Sequence, residues 1–313
     1  MYKKVFLICM LATTLMAIPA YAGGLIKRPD LTIFSPLAVA QSPRAVAMGS
    51  AYATAADDVN AAWWNPAGMT GVEKLEVSLS HSQWFVNSTF NTGAIAYTSG
   101  VHTIGVSILT FKPEDVEETT ILQPGGTGRM LSLGTSAFSL IYSRKFTDKL
   151  SFGVRFMLAR EDLDLTNHTT FNVDFGTKFY TGLGSLRLSM ALRNFGKDTE
   201  VLRRQFQQPL SFNLGTAAEV YGQQGDPFYI TGAVEMNFLI NWEERYHVGG
   251  EAWLGNILAL RGGYMFRYDS FGLTAGAGVK LPLAGTKITA DVAWQQSKHD
   301  LNQPLRFGMG FAF

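Results

Sequence analysis

Cysteine is all but missing from this 313-residue chain: one residue, Cys9, stands near its start. That excludes a disulfide framework. Because Cys9 falls inside a segment with the marks of a secretory signal peptide, thiol catalysis and cysteine metal ligation are excluded for the mature chain as well. The marks are Lys3 and Lys4, an apolar run over 5–18, and Ala20-Tyr21-Ala22; they make residues 1–22 the signal peptide, cut after Ala22. Charge is scarce too. Asp, Glu, Lys and Arg make up 16% of the chain, against roughly 25% in an average soluble domain. The net charge of +1 offers nothing that would hold nucleic acid. Beyond the signal peptide, no apolar run approaches the roughly 20 residues of a spanning helix. A membrane protein of this composition crosses with strands.

What the chain does have is glycine (32), phenylalanine (22) and period-two alternation. Over 304–313, Leu305, Phe307, Met309, Phe311 and Phe313 share one face, while Arg306, Gly308, Gly310 and Ala312 share the other. Similar segments recur back to residues 74–82, about fourteen in all, most of them the length that crosses a bilayer when tilted. Their second faces carry Arg155, Asp174, Lys178, Arg187, Arg193, Glu219, Glu235, Glu251, Arg261 and Arg306. Such a set is too charged to form the core of a soluble sandwich. A closed antiparallel transmembrane β-barrel over 73–313 resolves this, with apolar faces toward lipid, charges toward the lumen and no free edge. Counting alternately from inside, the turns at 99–100, 147–149, 182–184 and 255–256 are short. The other set holds the two longest, 112–133 and 196–208, as expected of short periplasmic turns and longer outer loops.

Residues 23–72 lack alternation and are the right size for a lumenal plug. Within them runs Ala56-Asp57-Asp58-Val59-Asn60-Ala61-Ala62-Trp63-Trp64-Asn65-Pro66-Ala67-Gly68. Asp57 or Asp58 caps a short helix over 59–64, Pro66 forbids its continuation, and the Asn65 amide is left to bond backbone nearby. Gly49, Gly68 and Gly71 permit close backbone approach.

The run Ser42-Pro43-Arg44-Ala45-Val46-Ala47-Met48-Gly49, then Asp57-Asp58 and Asn65-Pro66-Ala67-Gly68, resembles the start of the FadL superfamily of outer-membrane hydrophobe channels, and most of all its PorV/PorQ branch. The resemblance covers residues 42–71. It implies an outer-membrane barrel of fourteen strands with an N-terminal hatch, and two functions. One is passive passage of long-chain fatty acids or other hydrophobic small molecules, with lateral release into the membrane. The other is a component of type IX protein secretion that grips exported proteins through its outer loops. The partners implied are outer-membrane lipids, a hydrophobic small molecule or fatty acid, and secretion-system proteins.

The candidate residues follow from this arrangement. Gly49, Asp57, Asp58, Asn65, Pro66 and Ala67 form the hatch motif, the two acids either capping a helix or latching onto lumen arginines such as Arg261 or Arg306. Trp63 and Trp64 offer flat apolar surface to a ligand or serve as packing, and Phe111, Leu122 and Met130 are candidates for capture at the longest outer loop. The lumen charges Arg155, Arg187, Glu235, Glu251, Arg261 and Arg306 balance one another. His81, His102, His168, His247 and His299 are scattered, with neither metal spacing nor a Gly-x-Ser-x-Gly elbow. The expectation is therefore a non-enzyme with no metal and no cofactor.

Overall fold

The computed structural model describes residues 32–201, 203–240, 243–283, 285–298 and 302–313. The signal peptide and the first residues of the expected hatch lie outside the described residues.

Fourteen antiparallel strands close into one barrel. The first seven are β1 (Leu75–Gln83), β2 (Thr89–Ser99), β3 (His102–Lys112), β4 (Leu133–Lys145), β5 (Leu150–Leu163), β6 (Thr166–Tyr180) and β7 (Arg187–Gly196). A small hairpin follows, β8 (Thr199–Val201) and β9 (Arg204–Phe206), outside the barrel ladder. The wall resumes with β10 (Ser211–Tyr221), β11 (Phe228–Leu239), β12 (Arg245–Leu254), β13 (Leu258–Phe266), β14 (Phe271–Leu283), β15 (Thr286–Ser297) and β16 (Leu305–Ala312). β16 pairs with β1, from Glu76↔Ala312 to Gln83↔Leu305, so the sheet has no edge.

Alternation decides which face is which. Along β4, residues 135–143 switch strictly between buried and exposed, with Phe138, Leu140 and Tyr142 outward and Ser139, Ile141 and Ser143 inward. The same outward band includes Leu79, Ile104, Ile108, Leu158, Phe171, Phe175, Met190, Phe307 and Met309. An apolar band around a closed barrel belongs in a bilayer, since every backbone group of the wall is paired within the sheet. Among the described residues, no helix is long and apolar enough to cross a membrane.

Residues 32–72 fill the lumen. They form a short helix, α1 (Pro43–Ala47), and 3-10 turns at Ser35–Ala38, Val59–Trp63 and Pro66–Gly71. Ala, Met and Trp side chains of this plug pack on inward-facing residues such as Ala94, Ala96, Leu109, Ala137, Ile141 and Met157, giving one apolar core inside the barrel. The hairpin β8–β9 and helix α1 leave no trace in the alternation pattern. The hairpin is only three residues a side, and α1 starts where Pro43 occupies the first helical position without losing a needed N–H.

Candidate functional site

The plug is built from local signals. Asp58 caps the turn Val59–Trp63, its Oδ1 accepting the Asn60 amide at 2.8 Å. Asn65 then ends that turn and caps the next, Oδ1 accepting the Ala67 amide at 3.1 Å. Its side-chain amide donates to Ala53 O (3.2 Å) inside the plug and to Thr177 O (3.0 Å) on β6.

Two pairs of wall glycines receive the two halves of the plug. Gly153 and Gly176 face each other across β5 and β6. A side chain on Gly176 would come within 2.9 Å of Pro66 Cδ and strike the Asn65 amide, while one on Gly153 would run into the Pro66–Ala67 peptide. Gly249 and Gly263 face each other across β12 and β13, and Met48 and Gly49 lie against them. Gly49 itself has φ +62°, and a side chain there would meet Tyr264 N and Val248 O at 2.7 Å. Main chain thus lies directly on main chain at both places.

Charge enters beside the second pair. The Arg44 guanidinium on α1 donates to Asp57 Oδ1 (2.7 Å), Asp58 Oδ2 (2.9 Å) and both carboxylate oxygens of Glu251 (2.8 and 2.9 Å) on β12. Arg261 on β13 donates to the same Glu251 (2.6 Å) and to Asp291 on β15 (2.6 Å). Burial alone would raise the Asp57 carboxyl; Arg44, with Lys178 behind it, outweighs that and holds it well below the ordinary carboxylate range. Arg44, Asp57, Asp58, Arg261 and Asp291 line a cavity of about 310 Å³ at the short-turn end of the barrel, bounded also by Glu76, Tyr229, Trp253, Lys280 and Lys287, while Glu251 is buried.

On the far side the wall itself is irregular. The β6–β7 register shifts between Val173 and Phe175, and Asn194 takes a left-handed φ of 58°. Asp174 stabilises this bulge by accepting the Asn194 amide (2.7 Å) and pairing with Arg155. The plug tryptophans sit on its arginines: Trp63 under Arg155 (5.8 Å to the ring centroid) and Trp64 under Arg193 (5.6 Å). Arg155 also donates to Ala62 O (3.0 Å), and Trp64 Nε1 donates to Gln41 O (3.0 Å).

The predicted site residues therefore fall into separate places. Asn65, Pro66, Ala67 and Gly49 make the wall contacts. Asp57 and Asp58 engage Arg44, and neither Arg261 nor Arg306, because Glu251 and Asp291 already flank Arg261. Of the lumen charges, Arg155, Arg187, Glu251 and Arg261 form ion pairs, Arg187 with Glu219 at 2.9 Å. Glu235 accepts from Asn213 (2.6 Å) and from the Ala53 amide (2.8 Å). Trp63 and Trp64 are buried within the plug, the Phe111 ring lies tilted against Phe90 with centroids 4.6 Å apart, and Leu122 and Met130 are exposed on the 112–133 loop, so the five capture candidates do not converge. Arg44 was missed as a site residue. The available signal was an arginine set among alanines and valines, a charge that burial obliges to find acids. Among the described residues, no cluster of three or more His, Cys, Asp or Glu is placed to hold a metal ion.

No protein-family model and no curated protein sequence matches the chain. Solved structures do. The toluene transporter TodX of Pseudomonas putida superposes with a TM-score of 0.59 at 10% identity, over 91% of this chain and 99% of that one. The toluene transporter TbuX of Ralstonia pickettii gives 0.58 at 13% identity, over 87% and 97%. CymD, a monoaromatic hydrocarbon channel, gives 0.59 at 11% identity, over 87% and 97%. The fold is that of hydrocarbon channels. At these identities the likeness is one of fold.

Proposed function

We propose that the protein is a passive outer-membrane channel for small apolar molecules, in which the plug is a movable stopper and the β6–β7 bulge is the lateral way out into lipid. The observation that carries the reading is the keying of Trp63 and Trp64 to Arg155 and Arg193, which flank the wall irregularity that Asp174 braces, one of three register shifts in the barrel. A plug that shifts withdraws both rings from the bulge and opens the lumen to it at the same moment. The neighbours' toluene and monoaromatic hydrocarbon transport supports substrates of that size class, and long-chain fatty acids belong to the same reading.

The test is a reversible lock. Thr70 Oγ1 in the plug and Ser151 Oγ on β5 lie 3.1 Å apart, and Cys9 is the sole native cysteine. Thr70→Cys with Ser151→Cys ties the plug to the wall when oxidised. Uptake of toluene into proteoliposomes is expected to stop on oxidation and return on reduction. Uptake indifferent to the lock removes the gating role.

A second reading, a type IX secretion component, draws on one observation: Ile121 and Leu122 at the tip of the 112–133 loop are 101% and 92% exposed. Replacing both with Ser would abolish capture of an exported protein under that reading and leave toluene uptake unchanged under the first.

A further inference from the structure

Lumen charges that lack an ion pair differ in what they face. Arg306 is sealed: it is 1% exposed, Nε, Nη1 and Nη2 take no hydrogen bond, and its guanidinium lies 4.9 Å from the Trp84 ring centroid. The expected balance of lumen charges does not extend to it. Glu76 on β1 and Lys280 on β14 face open space instead, because both border the cavity at the short-turn end of the barrel.

Among the described residues, every other charge bordering that cavity is paired within it. Arg44 binds Asp57 and Asp58, Arg261 binds Asp291, and Lys287 binds Glu73 at 2.9 Å. The two left over are of opposite sign, and they do not pair with each other. The strand register gives the reason. Lys280 is opposite Thr289, Thr289 opposite Gly310, and Gly310 opposite Ser78, two residues along β1 from Glu76. Three interstrand spacings, about 14 Å of wall, therefore separate the two backbones. The cavity residues between them, Thr289, Gly310 and Ala312, are too small to fill the gap.

Each end is set up for a ligand. At the acid end, Glu76 Oε2 accepts the Val59 amide at 3.0 Å, which holds the carboxylate in place and leaves Oε1 open. At the basic end, the Lys280 ammonium lies 5.8 Å from the Trp253 ring centroid. Trp253 is 7% exposed and stacked on Tyr229 at 18°, and its Nε1–H has no acceptor, although a buried indole ordinarily finds one. An ammonium beside an indole N–H calls for a carboxylate, and a carboxylate across the cavity calls for an ammonium. A cavity of about 310 Å³ has room for a molecule that carries both.

We propose that this cavity binds a small zwitterion of amino-acid or dipeptide type from the periplasmic side, its ammonium on Glu76 and its carboxylate on Lys280 and Trp253. The site goes beyond the channel reading and does not depend on it. Because Glu76 also holds Val59 of the plug, an occupied site ties β1, β14 and the plug together, and the ligand acts as an effector that keeps the plug seated.

The experiment titrates the purified full-length barrel in detergent with alanine and alanylalanine, each also as its N-acetyl and its carboxamide form. Binding is followed by tryptophan emission and by the midpoint of the heat-dependent gel shift. At least one zwitterion is expected to bind and raise the midpoint, and blocking either of its ends weakens binding by about tenfold or more. The better of alanine and alanylalanine gives the span of the site. Lys280→Met is expected to erase the preference for acid over amide, and Glu76→Gln the preference for free over acetylated amine. Free and blocked forms that bind alike, or no binding of either zwitterion at millimolar concentration, overturn the proposal. So does a wild-type preference retained by both variants. Should a variant fail to fold, the blocked compounds on the wild type still decide. Toluene uptake takes no part in the readout, so loss of the channel reading leaves this site standing, and loss of this site leaves the channel.

Discussion

The plug meets the wall in two chemically different ways. Against β4–β6 the plug makes no ion pair among the described residues: Asn65 and Pro66 lie on Gly153 and Gly176, Ser143 Oγ donates to Pro66 O at 2.6 Å, Thr70 reaches Ser151, and Arg155 and Lys178 donate to the carbonyls of Ala62 and Ala56. Against β12–β15, Gly49 also lies on glycines, but the neighbouring contacts are the ion pairs of Arg44, Glu251, Arg261 and Asp291, at the edge of the cavity. Close-packed neutral contacts change little with salt or pH, while ion pairs bordering solvent respond to both. The first side works as an anchor and the second as a latch.

The comparison breaks most sharply at Glu251, which serves both arginines. Glu251→Gln leaves two buried cations short of their acid and is expected to cost about 3–5 kcal/mol, read as a lowered midpoint in the heat-dependent gel shift and as raised leak of small solutes. Gly176→Val attacks the anchor. The added methyls meet Asn65 and Pro66, with an expected loss of about 1–3 kcal/mol by the same assay and no dependence on salt. Asn65→Ala removes three hydrogen bonds without adding bulk and is expected to cost about 1–3 kcal/mol, again independent of salt.

Acid sharpens the contrast. The folded Asp57 carboxyl lies below its unfolded value, so its contribution is full above about pH 3.9 and is lost as pH falls through the depressed folded value. Lowering the pH is therefore expected to loosen the latch in the wild type, and the Asp57→Asn variant loses that acid-sensitive part. The smallest effect belongs to Arg129→Ala. It removes the exposed loop pairs to Glu118 and Asp164, and its melting midpoint is expected to match the wild type within error.

The strands were legible because lipid on one side and plug or water on the other force a period of two that survives in every wall segment. The expected count of fourteen is met, and the segments expected at 74–82 and 304–313 are Leu75–Gln83 and Leu305–Ala312. Asp-Asp left the cap open between Asp57 and Asp58, and it is Asp58; the Asn65 amide expected to bond nearby backbone also caps the next turn. The latch was not legible. Arg44 and Glu251 are 207 positions apart, and alternation says that Glu251 faces inward without saying what it faces. The same limit hid Arg306, whose place on the strand looks like that of Arg261 and whose surroundings differ entirely. Trp63 and Trp64 read as ligand surface or, more often for an aromatic pair in a plug, as packing, and the bulge arginines show where each ring lies.

Only Val72, Glu73 and Lys74 separate the last turn of the plug from the first residue of β1, and β1 closes the barrel against β16. The two strands of that seam are the most distant in the chain, so the seam bears the largest loop-closure cost and is the natural last step of assembly. The plug is tethered to the strand that waits longest. On that order of closure the barrel is wrapped around its stopper rather than fitted with one afterwards.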